Sequence, residues 1–405
     1  MRKTTLGLIG LLILSHQAFV QAEDRCGDGS CDASETRRSC PDDCGFRARL
    51  RQRVQQRLRE RLDTRRTDTA NAGAGDRELS LVHNGQPRRY LVHVPPSYDG
   101  KRAVPVIVNF HGGGGNAQGH VKISQMYVSS DKEGFIVVYP WGTREDLDPN
   151  KPFIRFWNIG RTFAGDQYKE GTGVAKVDDV GFVRLLIEDL KSEFRIDENR
   201  LYSTGLSNGA QISYKLACEL SDRIAAVAPV GSSFQQIPQD CRPERPVSVM
   251  HFHGTADTFS PYNGGDPVCQ AAYNEQFNSA QGSVDFWARN NGCPGDPRIT
   301  YQRGDTTCKT YGLCEEGAEV TLCTIEGGGH TWPGGEPYKF PKCDPGKLTH
   351  DISANEAMWE FFQRHPKNDT SIENATPKMG DDELLEDEFV DEVEGEGEQA
   401  EGDFG

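Results

Sequence analysis

Short apolar runs alternate with amphipathic stretches throughout residues 77–366 of this 405-residue chain. The apolar runs predict strands at 79–83, 88–94, 104–110, 135–139, 200–204, 225–230, 247–252 and 318–325. Helical periodicity predicts helices at 117–130, 178–194, 208–220, 281–291 and 353–364. Asn84-Gly85, between the first two strands, is typical of a tight hairpin turn. Strands that alternate with helices in this way indicate an α/β domain, in which a mostly parallel sheet has helices on both faces.

Residues 1–22 have the pattern of a secretory signal peptide. Arg2 and Lys3 precede an apolar core, and residues 20–22 form a cleavage site that ends in a small residue. The core is too short to span a bilayer, and no later run approaches that length. The chain has twelve cysteines, an even number that fits an oxidising compartment. The sequence therefore predicts a secreted, extracellular protein without a membrane span.

Residues 23–45 predict a small module stapled by two disulfides, since so few residues cannot bury a core. The cysteines of this module are Cys26, Cys31, Cys40 and Cys44. Zinc is the alternative, but the acidic surroundings and the export signal favour disulfides. Acidic side chains in the module can supply oxygen ligands to Ca²⁺, although their spacing does not match an EF-hand loop. We favour a plain disulfide knot and leave calcium open.

The segments that flank the α/β domain carry opposite charge. Residues 46–66 contain nine arginines, and an apolar residue at every fourth position predicts a helix. We favour a solvated spacer over a helix that lies on an anionic surface or pairs with the tail, and residues 67–76 complete this segment as a linker. Residues 367–405 are poor in apolar residues, which predicts disorder. Thirteen acidic residues at 381–405 account for all but three of the sixteen net negative charges. The rest of the chain has no excess of positive charge, which argues against nucleic-acid binding by the main domain.

Gly205-Leu206-Ser207-Asn208-Gly209 joins the predicted strand 200–204 to the predicted helix 208–220. A serine in such a turn stands above the carboxyl edge of a parallel sheet, and the glycines leave room beside it. Ser207 is therefore the predicted nucleophile, and it needs a histidine as base. Of the ten histidines, we prefer His330 because it follows strand 318–325 in a glycine-rich loop.

The acid that orients such a histidine follows a late strand in this arrangement. Asp257 follows strand 247–252 and is the predicted acid. The rival pair at 178–179 precedes the serine and fits the start of a helix, where carboxylates favour the helix dipole.

Acyl transfer also requires N–H donors for the oxyanion that develops during the reaction. One should be the amide of Asn208, which directly follows the nucleophile. The others should be those of Gly112 and Gly113, in a glycine-rich turn at the end of strand 104–110. The alternative is that this turn is only a flexible glycine loop. We disfavour it because the turn lies directly at the end of a strand, where this fold places its oxyanion donors.

Six segments together resemble secreted esterases of the feruloyl-esterase and polyhydroxybutyrate-depolymerase group. They lie at 110–116, 177–182, 201–210, 226–229, 253–257 and 329–333. The resemblance implies a disulfide-bearing α/β-hydrolase over residues 77–366, with no cofactor and no metal. By motif position, it implies a catalytic triad of Ser207, Asp257 and His330.

Ser-Asn-Gly at the serine turn resembles the feruloyl-esterase side of this group, which favours hydroxycinnamoyl esters of plant cell-wall polysaccharides as substrates. A polyester depolymerase and an acetylxylan esterase are the alternatives. A catalytically silent matrix-binding protein is the non-enzymatic alternative. The side chains that we expect to line an aromatic acyl pocket are Trp157, Trp332, Tyr262 and Tyr338. For Trp157, packing in the core is the competing role.

Eight cysteines lie in the predicted hydrolase domain, and their pairing cannot be derived from sequence alone. The resemblance suggests Cys218 with Cys241 and Cys293 with Cys314. For the other four we assume Cys308 with Cys323 across a hairpin, and Cys269 with Cys343.

Overall fold

The computed structural model describes residues 74–144, 155–160, 177–234, 240–269, 276–341 and 343–367. The predicted signal peptide, the cysteine-rich module with its open calcium site, the arginine-rich helix and the acidic tail lie outside these residues. The compact unit that contains the described residues ends at Lys367.

The described residues form twelve strands, ten of which make one continuous sheet. The strands are β1 (Gly75–His83), β2 (Gln86–Val94), β3 (Val104–Phe110), β4 (Ile136–Pro140), β5 (Thr143–Arg144), β6 (Arg155–Phe156), β7 (Ile196–Leu206), β8 (Ala226–Val230), β9 (Ser248–Gly254), β10 (Arg298–Arg303), β11 (Thr306–Tyr311) and β12 (Val320–Ile325). The large sheet has the order β1-β2-β4-β3-β7-β8-β9-β12-β11-β10, and β5 pairs with β6 outside it.

The centre of this sheet is parallel and its two margins are antiparallel. From β4 through β3, β7, β8 and β9 to β12, each neighbouring pair of strands is parallel. The β1–β2 hairpin joins one margin and the β10–β11 hairpin the other, both through antiparallel pairs. The carboxyl ends of the six central strands therefore meet at one edge of the sheet.

Six α-helices cover the two faces of the sheet in the described part of the chain. They are α1 (Ala117–Ser124), α2 (Met126–Glu133), α3 (Asp179–Glu193), α4 (Asn208–Glu219), α5 (Ala280–Asn290) and α6 (Ala354–Arg364). Side chains alternate across β3: Val106 and Val108 pack in one apolar cluster with α3, α4 and α5, and Ile107 packs in the other with α1, α2 and α6. This layered arrangement is an α/β-hydrolase, which confirms the predicted fold class.

The eight predicted strands and the helices at 178–194, 208–220, 281–291 and 353–364 are present, with ends that shift by a few residues. The predicted helix at 117–130 was wrong as a single element, because Gln125 divides it into α1 and α2. Gln125 has a left-handed backbone (φ 48°), and its N–H donates to the carbonyl of Val121, which ends α1. Sequence periodicity does not report such a break, since both helices present apolar residues to the same face.

The sequence analysis missed strands β10 and β11. Most of β10 is polar and exposed, so it lacks the apolar alternation that predicts a strand. The hairpin forms because β11 pairs with β12, and Cys308 there lies directly opposite Cys323. Neighbouring strands, rather than local pattern, specify this margin of the sheet.

The described residues contain four disulfides, and they are the four pairs expected above: Cys218–Cys241, Cys269–Cys343, Cys293–Cys314 and Cys308–Cys323. The Cys269–Cys343 bridge has the largest sequence separation, 74 residues. No helix in the described ranges has the length and apolar character needed to cross a bilayer.

We predict that Gly209→Ala will destabilise the fold by about 2 kcal/mol or more, the upper part of the range for overpacking. A methyl group at Gly209 would lie 2.1 Å from the carbonyl oxygen of Phe110, which is backbone and cannot move aside cheaply. Gly119→Ala is the matched control, since its methyl group would lie 3.5 Å from the nearest atom, in ordinary contact. Chemical denaturation measures both variants. Equal stability of the two variants would show that the contact at Gly209 is not tight.

Candidate active site

Ser207 lies between the end of β7 and the start of α4, in a turn that strains its backbone. Its φ is 59° and its ψ is −120°, a conformation that non-glycine residues rarely adopt. The N–H of Ser207 donates to the carbonyl of Val230 at the end of β8 (2.9 Å), which fixes the turn. The Ser207 side chain is half-buried, whereas Leu206 and Asn208 on either side are buried. The turn therefore raises one hydroxyl above the carboxyl edge of the sheet.

The flanking glycines allow this turn to exist. A Cβ at Gly205 would lie 2.6 Å from backbone atoms of both Gly209 and Phe110, and one at Gly209 would meet Phe110 even more closely. The end of β3, the end of β7 and the first turn of α4 therefore approach one another with no room for side chains between them.

Asp257 and His330 form a buried pair at the same edge of the sheet. Asp257 lies three residues after β9, and His330 lies five residues after β12. Nδ1 of His330 donates to Oδ2 of Asp257 at 2.7 Å, and both side chains are almost fully buried. A carboxylate at Nδ1 holds the imidazole in the tautomer that presents Nε2 as a proton acceptor.

The surroundings of Asp257 keep its carboxyl group ionised. Burial alone would raise the pKa of Asp257, but the positive charge of His330 and hydrogen bonds from His253 and His330 outweigh it and hold the pKa well below the usual range. The backbone N–H groups of Phe259 and Ser260 donate to its other oxygen at 2.8 and 2.9 Å. A negative charge is thus fixed next to His330, where it stabilises the protonated imidazole.

The ring of His330 is also held by its neighbours. Phe259 stacks on it with ring centroids 4.8 Å apart. The hydroxyl of Tyr338 donates to the carbonyl oxygen of His330 (2.7 Å), and the backbone N–H of His330 donates to the carbonyl of Pro345 (2.6 Å). His330 is therefore fixed through both its side chain and its backbone.

The glycine-rich turn after β3 faces the serine. A Cβ at Gly112 would lie 3.4 Å from Cβ of Ser207, so the backbone of this turn passes directly beside Ser207. The N–H groups of Gly114 and Gly115 donate to the carbonyls of Arg155 and Gly112 and are therefore already used. The amides of Gly112 and Gly113 remain as donors on this side. The amide of Asn208 lies at the N-terminus of α4, where N–H groups have no partner within the helix.

Trp157 connects the glycine turn to the serine turn, and it does so from inside the core. Its side chain is fully buried, and its indole N–H donates to the carbonyl of His111 at 2.9 Å. Its backbone N–H donates to the side-chain oxygen of Asn208 at 2.7 Å. The predicted role of Trp157 in substrate contact was therefore wrong, and the competing core role is correct. The side chain of Asn208 has a structural task that the sequence analysis missed.

His111 holds the glycine turn through a defined tautomer. The N–H of Gly142 donates to Nε2 (2.9 Å), so Nε2 accepts and Nδ1 carries the proton, which it donates to the carbonyl of Gly112 (2.7 Å). Burial lowers the pKa of His111 to about 4, and the Arg155 guanidinium acts in the same direction against the hydrogen bond to Gly112. A neutral imidazole therefore joins the turn to the chain after β4.

Ser207 and His330 line one cleft of about 280 Å³ together with the glycine turn. The aromatic side chains on its wall are Phe259, Tyr338 and Phe340, with Ile123 from α1 beside them. Lys339 is the one charged side chain among the lining residues, all of which lie in the described ranges. The cleft thus has a polar wall of backbone amides and an opposite wall that is largely aromatic.

Two further residues predicted for this pocket lie elsewhere, and Tyr338 does line it. Trp332 is fully buried, and its indole N–H donates to Asn355 (3.0 Å), so the predicted substrate contact was wrong. Tyr262 does not line the cleft, and its hydroxyl bonds to that of Thr324 at 2.7 Å. Phe259 was missed, although its position two residues after Asp257 is a signal that could have found it.

The rival acidic pair has a structural role. Asp178 accepts a hydrogen bond from the N–H of Gly181 and caps α3, as its place before a helix indicated. Asp179 is buried and pairs with Arg88 at 2.6 Å. Its other oxygen accepts from the N–H of Asn158 at 2.7 Å, so this pair fixes the segment that carries Trp157.

Comparison with known proteins finds esterases among the proteins that this chain resembles. Residues 88–236 match the family model described as Esterase PHB depolymerase. This match and the feruloyl esterases among the relatives support the resemblance to feruloyl-esterase and polyhydroxybutyrate-depolymerase-like esterases that the motifs indicated.

Three relatives illustrate the similarity. Feruloyl esterase B of Piromyces equi is 31% identical over 246 residues, which cover 60% of this chain but only 42% of that protein. The putative esterase NocK of Nocardia uniformis subsp. tsuyamanensis is 26% identical, with 68% of this chain and 78% of that protein covered. Feruloyl esterase D of Neurospora crassa is 28% identical, with 69% and 83% covered. The chain thus spans less than half of the length of the Piromyces protein.

We predict a loss of stability in mild acid that arises from buried neutral histidines. Burial lowers the pKa of His111 to about 4 and that of His120 to about 3, both below the value of about 6.5 in an unfolded chain. The unfolded chain therefore takes up protons first as the pH falls below about 6.5. Each such histidine should then reduce the free energy of unfolding by about 1.4 kcal/mol per pH unit, down to its folded pKa.

The pH dependence of chemical denaturation between pH 6.5 and 4 measures this slope. His111→Asn should make the slope of the free energy of unfolding against pH smaller by the contribution of one histidine. The reason is that the variant has no imidazole at this position to resist protonation. His350→Asn, at an exposed position, is the control and should leave the slope unchanged. An identical slope in wild type and His111→Asn would contradict the neutral assignment of His111.

Proposed function

We propose that this protein is a serine carboxylesterase that works through an acyl-enzyme, with Ser207 as nucleophile, His330 as base and Asp257 as the acid that orients His330. The observation that carries the proposal is the buried His330–Asp257 pair, at 2.7 Å, in the same cleft as the strained Ser207. The glycine turn at the opposite wall supplies the amides that such chemistry needs.

In the first half of the reaction, Ser207 Oγ attacks the ester carbonyl while its proton passes to Nε2 of His330. The carbonyl oxygen becomes negative, and the amides of Asn208, Gly113 and Gly112 stabilise it. When the C–O bond to the alcohol breaks, the proton on His330 passes to the leaving alcohol. Asp257 stays ionised throughout and stabilises the imidazolium.

In the second half, a water molecule replaces the alcohol. His330 takes a proton from this water, whose oxygen attacks the acyl carbon, and the same amides hold the second oxyanion. The bond to Ser207 breaks, and the serine oxygen recovers its proton from His330. The products are the free acid and the starting enzyme, and no group outside the protein has to supply electrons.

An aromatic acid fits the wall of the cleft best, so we propose a hydroxycinnamoyl ester of a cell-wall polysaccharide as the substrate class. Phe259 stacks on His330, and Phe340 meets Phe259 edge to face with centroids 5.2 Å apart, so two apolar rings lie beside the base. Aromatic rings pack against such surfaces in offset or edge-to-face geometry. Two of the relatives compared above are named feruloyl esterases.

A polyester of 3-hydroxy acids is the second candidate, and the description of the matching family model favours it. Acetylated xylan is the third candidate, since a small acyl group needs little of the aromatic wall.

We predict that the wild-type protein will hydrolyse methyl ferulate with a higher kcat/KM than a 3-hydroxybutyrate trimer or methyl acetate. Ser207→Ala serves as the blank and should lower kcat by about 10⁴-fold or more, as removal of a serine nucleophile does. A fluorophosphonate probe should label the wild type and not this variant. An unlabelled wild type would favour the matrix-binding alternative, and a preference for the trimer would favour polyester degradation.

The same assay tests the aromatic wall. Phe340→Ala should lower kcat/KM for methyl ferulate by about fivefold, the change expected when an aromatic contact worth about 1 kcal/mol is lost. Hydrolysis of methyl acetate should change little, because an acetyl group does not reach the ring. Equal losses on both substrates would show that Phe340 supports the site and does not select the acid.

We also propose that the protein is secreted, with the signal peptide removed. The four disulfides of the described residues support an oxidising destination. N-terminal sequencing of protein from the culture medium should find Glu23 as the first residue. A product that stays in the cells with Met1 intact would contradict secretion.

A further inference from the structure

A row of hydrogen-bonded side chains leads from helix α4 to the carboxylate of Asp257. At its far end, the hydroxyl of Tyr214 bonds to Nδ1 of His251. Nε2 of His251 lies 2.8 Å from Nδ1 of His253, and Nε2 of His253 lies 2.7 Å from the carbonyl oxygen of Ser260. The same Nε2 lies 3.5 Å from Oδ2 of Asp257. The reaction described above assigns no task to these three side chains.

The row is closed to water. Tyr214 and His251 are fully buried, and His253 is 1% exposed. The two histidines are two residues apart on β9, so they share one face of the sheet, and their rings stack with centroids 5.1 Å apart. Buried polar atoms need partners within the protein. Each proton in the row must therefore go to the acceptor next to it.

The Ser260 carbonyl fixes the direction of the row, because a carbonyl oxygen only accepts. Nε2 of His253 must therefore carry a proton. If His253 is neutral, its Nδ1 accepts from Nε2–H of His251, and Nδ1 of His251 accepts from the hydroxyl of Tyr214. In the opposite arrangement His253 would carry two protons, and the phenolic proton would have no acceptor within the row.

Burial supports the first arrangement. It lowers the pKa of His251 far below its ordinary value, and the neighbouring His253 acts in the same direction. Burial also raises the pKa of Tyr214 far above its ordinary value. Both pKa shifts favour the neutral form of the group, and neutral groups leave one proton for each bond of the row.

We propose that Tyr214, His251 and His253 form a positioning chain that directs Nε2–H of His253 between the Ser260 carbonyl and Asp257, and thereby holds the Asp257 carboxylate in line with His330. His253 and His330 then share one oxygen of Asp257, and two backbone amides hold the other. This role rests on the proposed function, since the orientation of Asp257 matters only if His330 acts as a base.

Loss of the His253 donor should concentrate the carboxylate charge on His330 and stabilise its protonated form. The acid limb of the pH profile, which reports this protonation, should therefore move to higher pH. The other titratable or charged groups that face His330 are Tyr338, bonded to its carbonyl oxygen, and His111, His120 and Lys339 in the same cleft. They are the same in wild type and variants, so they do not account for a difference between them.

The test compares His253→Leu with His253→Gln in the full-length chain, with kcat and KM for methyl ferulate measured across pH. Leucine has no donor, whereas the glutamine amide can place an N–H where Nε2 stood. We expect His253→Leu to lower kcat by about tenfold, to change KM less than about twofold, and to move the acid limb to higher pH. Glutamine should restore most of kcat and the position of the limb. The proposal would be overturned if His253→Leu had the kcat of the wild type and an acid limb at the same pH. It would also be overturned if His253→Gln lost as much kcat as His253→Leu.

Tyr214→Phe keeps the proposal testable if the His253 variants fail to fold. The phenylalanine ring can keep the packing of Tyr214 against Phe234 and Trp287, while the hydroxyl at the far end of the row is lost. We expect a fall in kcat of about threefold and a shift of the acid limb in the same direction. Wild-type kcat and pH profile in this variant would overturn the chain.

Nitrogen-15 NMR of labelled histidine tests the tautomers without turnover. The row requires the Nε2–H tautomer at both His251 and His253, and a neutral Nδ1–H tautomer at His253 would overturn it. If the wild type hydrolyses no ester, the proposed function fails. The NMR measurement then still decides whether the row exists.

Discussion

The close approach of three backbone segments, at the ends of β3 and β7 and the start of α4, is the constraint on which the rest of the site depends. Glycines at 205 and 209 leave no side chain between these segments, so the serine turn lies directly against the glycine turn. This contact sets the distance between Ser207 and the amides of the opposite wall. Without it, a layer of side chains would separate the serine hydroxyl from the amides that we propose as oxyanion donors.

The second element of the site reaches it from the other half of the sheet. Asp257 and His330 follow β9 and β12, which lie beyond β8, on the far side from the glycine turn. The parallel order of β7, β8, β9 and β12 carries all of these loops to one edge. The sheet thus joins two separately built parts: a backbone part, which we propose holds negative charge on an oxygen, and a side-chain part, which we propose moves a proton.

Buried histidines lie next to both parts. His111 joins the glycine turn to the chain after β4, and His251 and His253 lie behind Asp257. An imidazole is well suited to this task because it donates at one nitrogen and accepts at the other, so it can link two polar groups without carrying a charge. Each such link depends on exclusion of water and on a pH at which the ring stays neutral.

Most of the fold could be predicted from the sequence, because the central strands are apolar and the helices between them are amphipathic. The positions of Ser207, Asp257 and His330 could be assigned because each belongs to a short motif that follows a predicted strand. The β10–β11 hairpin could not, since its pairing depends on β12 rather than on its own pattern. The aromatic residues of the cleft could not be sorted either. Trp157, Trp332, Phe259 and Phe340 are all plausible pocket residues by type, and only the tertiary structure decides which of them line the cleft and which are buried in the core.

The disulfides divide the chain unevenly, and this has a consequence for how the site assembles. All four described bridges lie between Cys218 and Cys343, whereas residues 45–217 contain no cysteine. In an oxidised but unfolded chain, the segment that carries His330 therefore lies inside the loop closed by Cys269 and Cys343, whereas Asp257, Ser207 and the glycine turn lie outside every described disulfide loop. The bridges thus restrict the ensemble of the His330 segment in such a chain, and both Asp257 and Ser207 must reach it by folding alone.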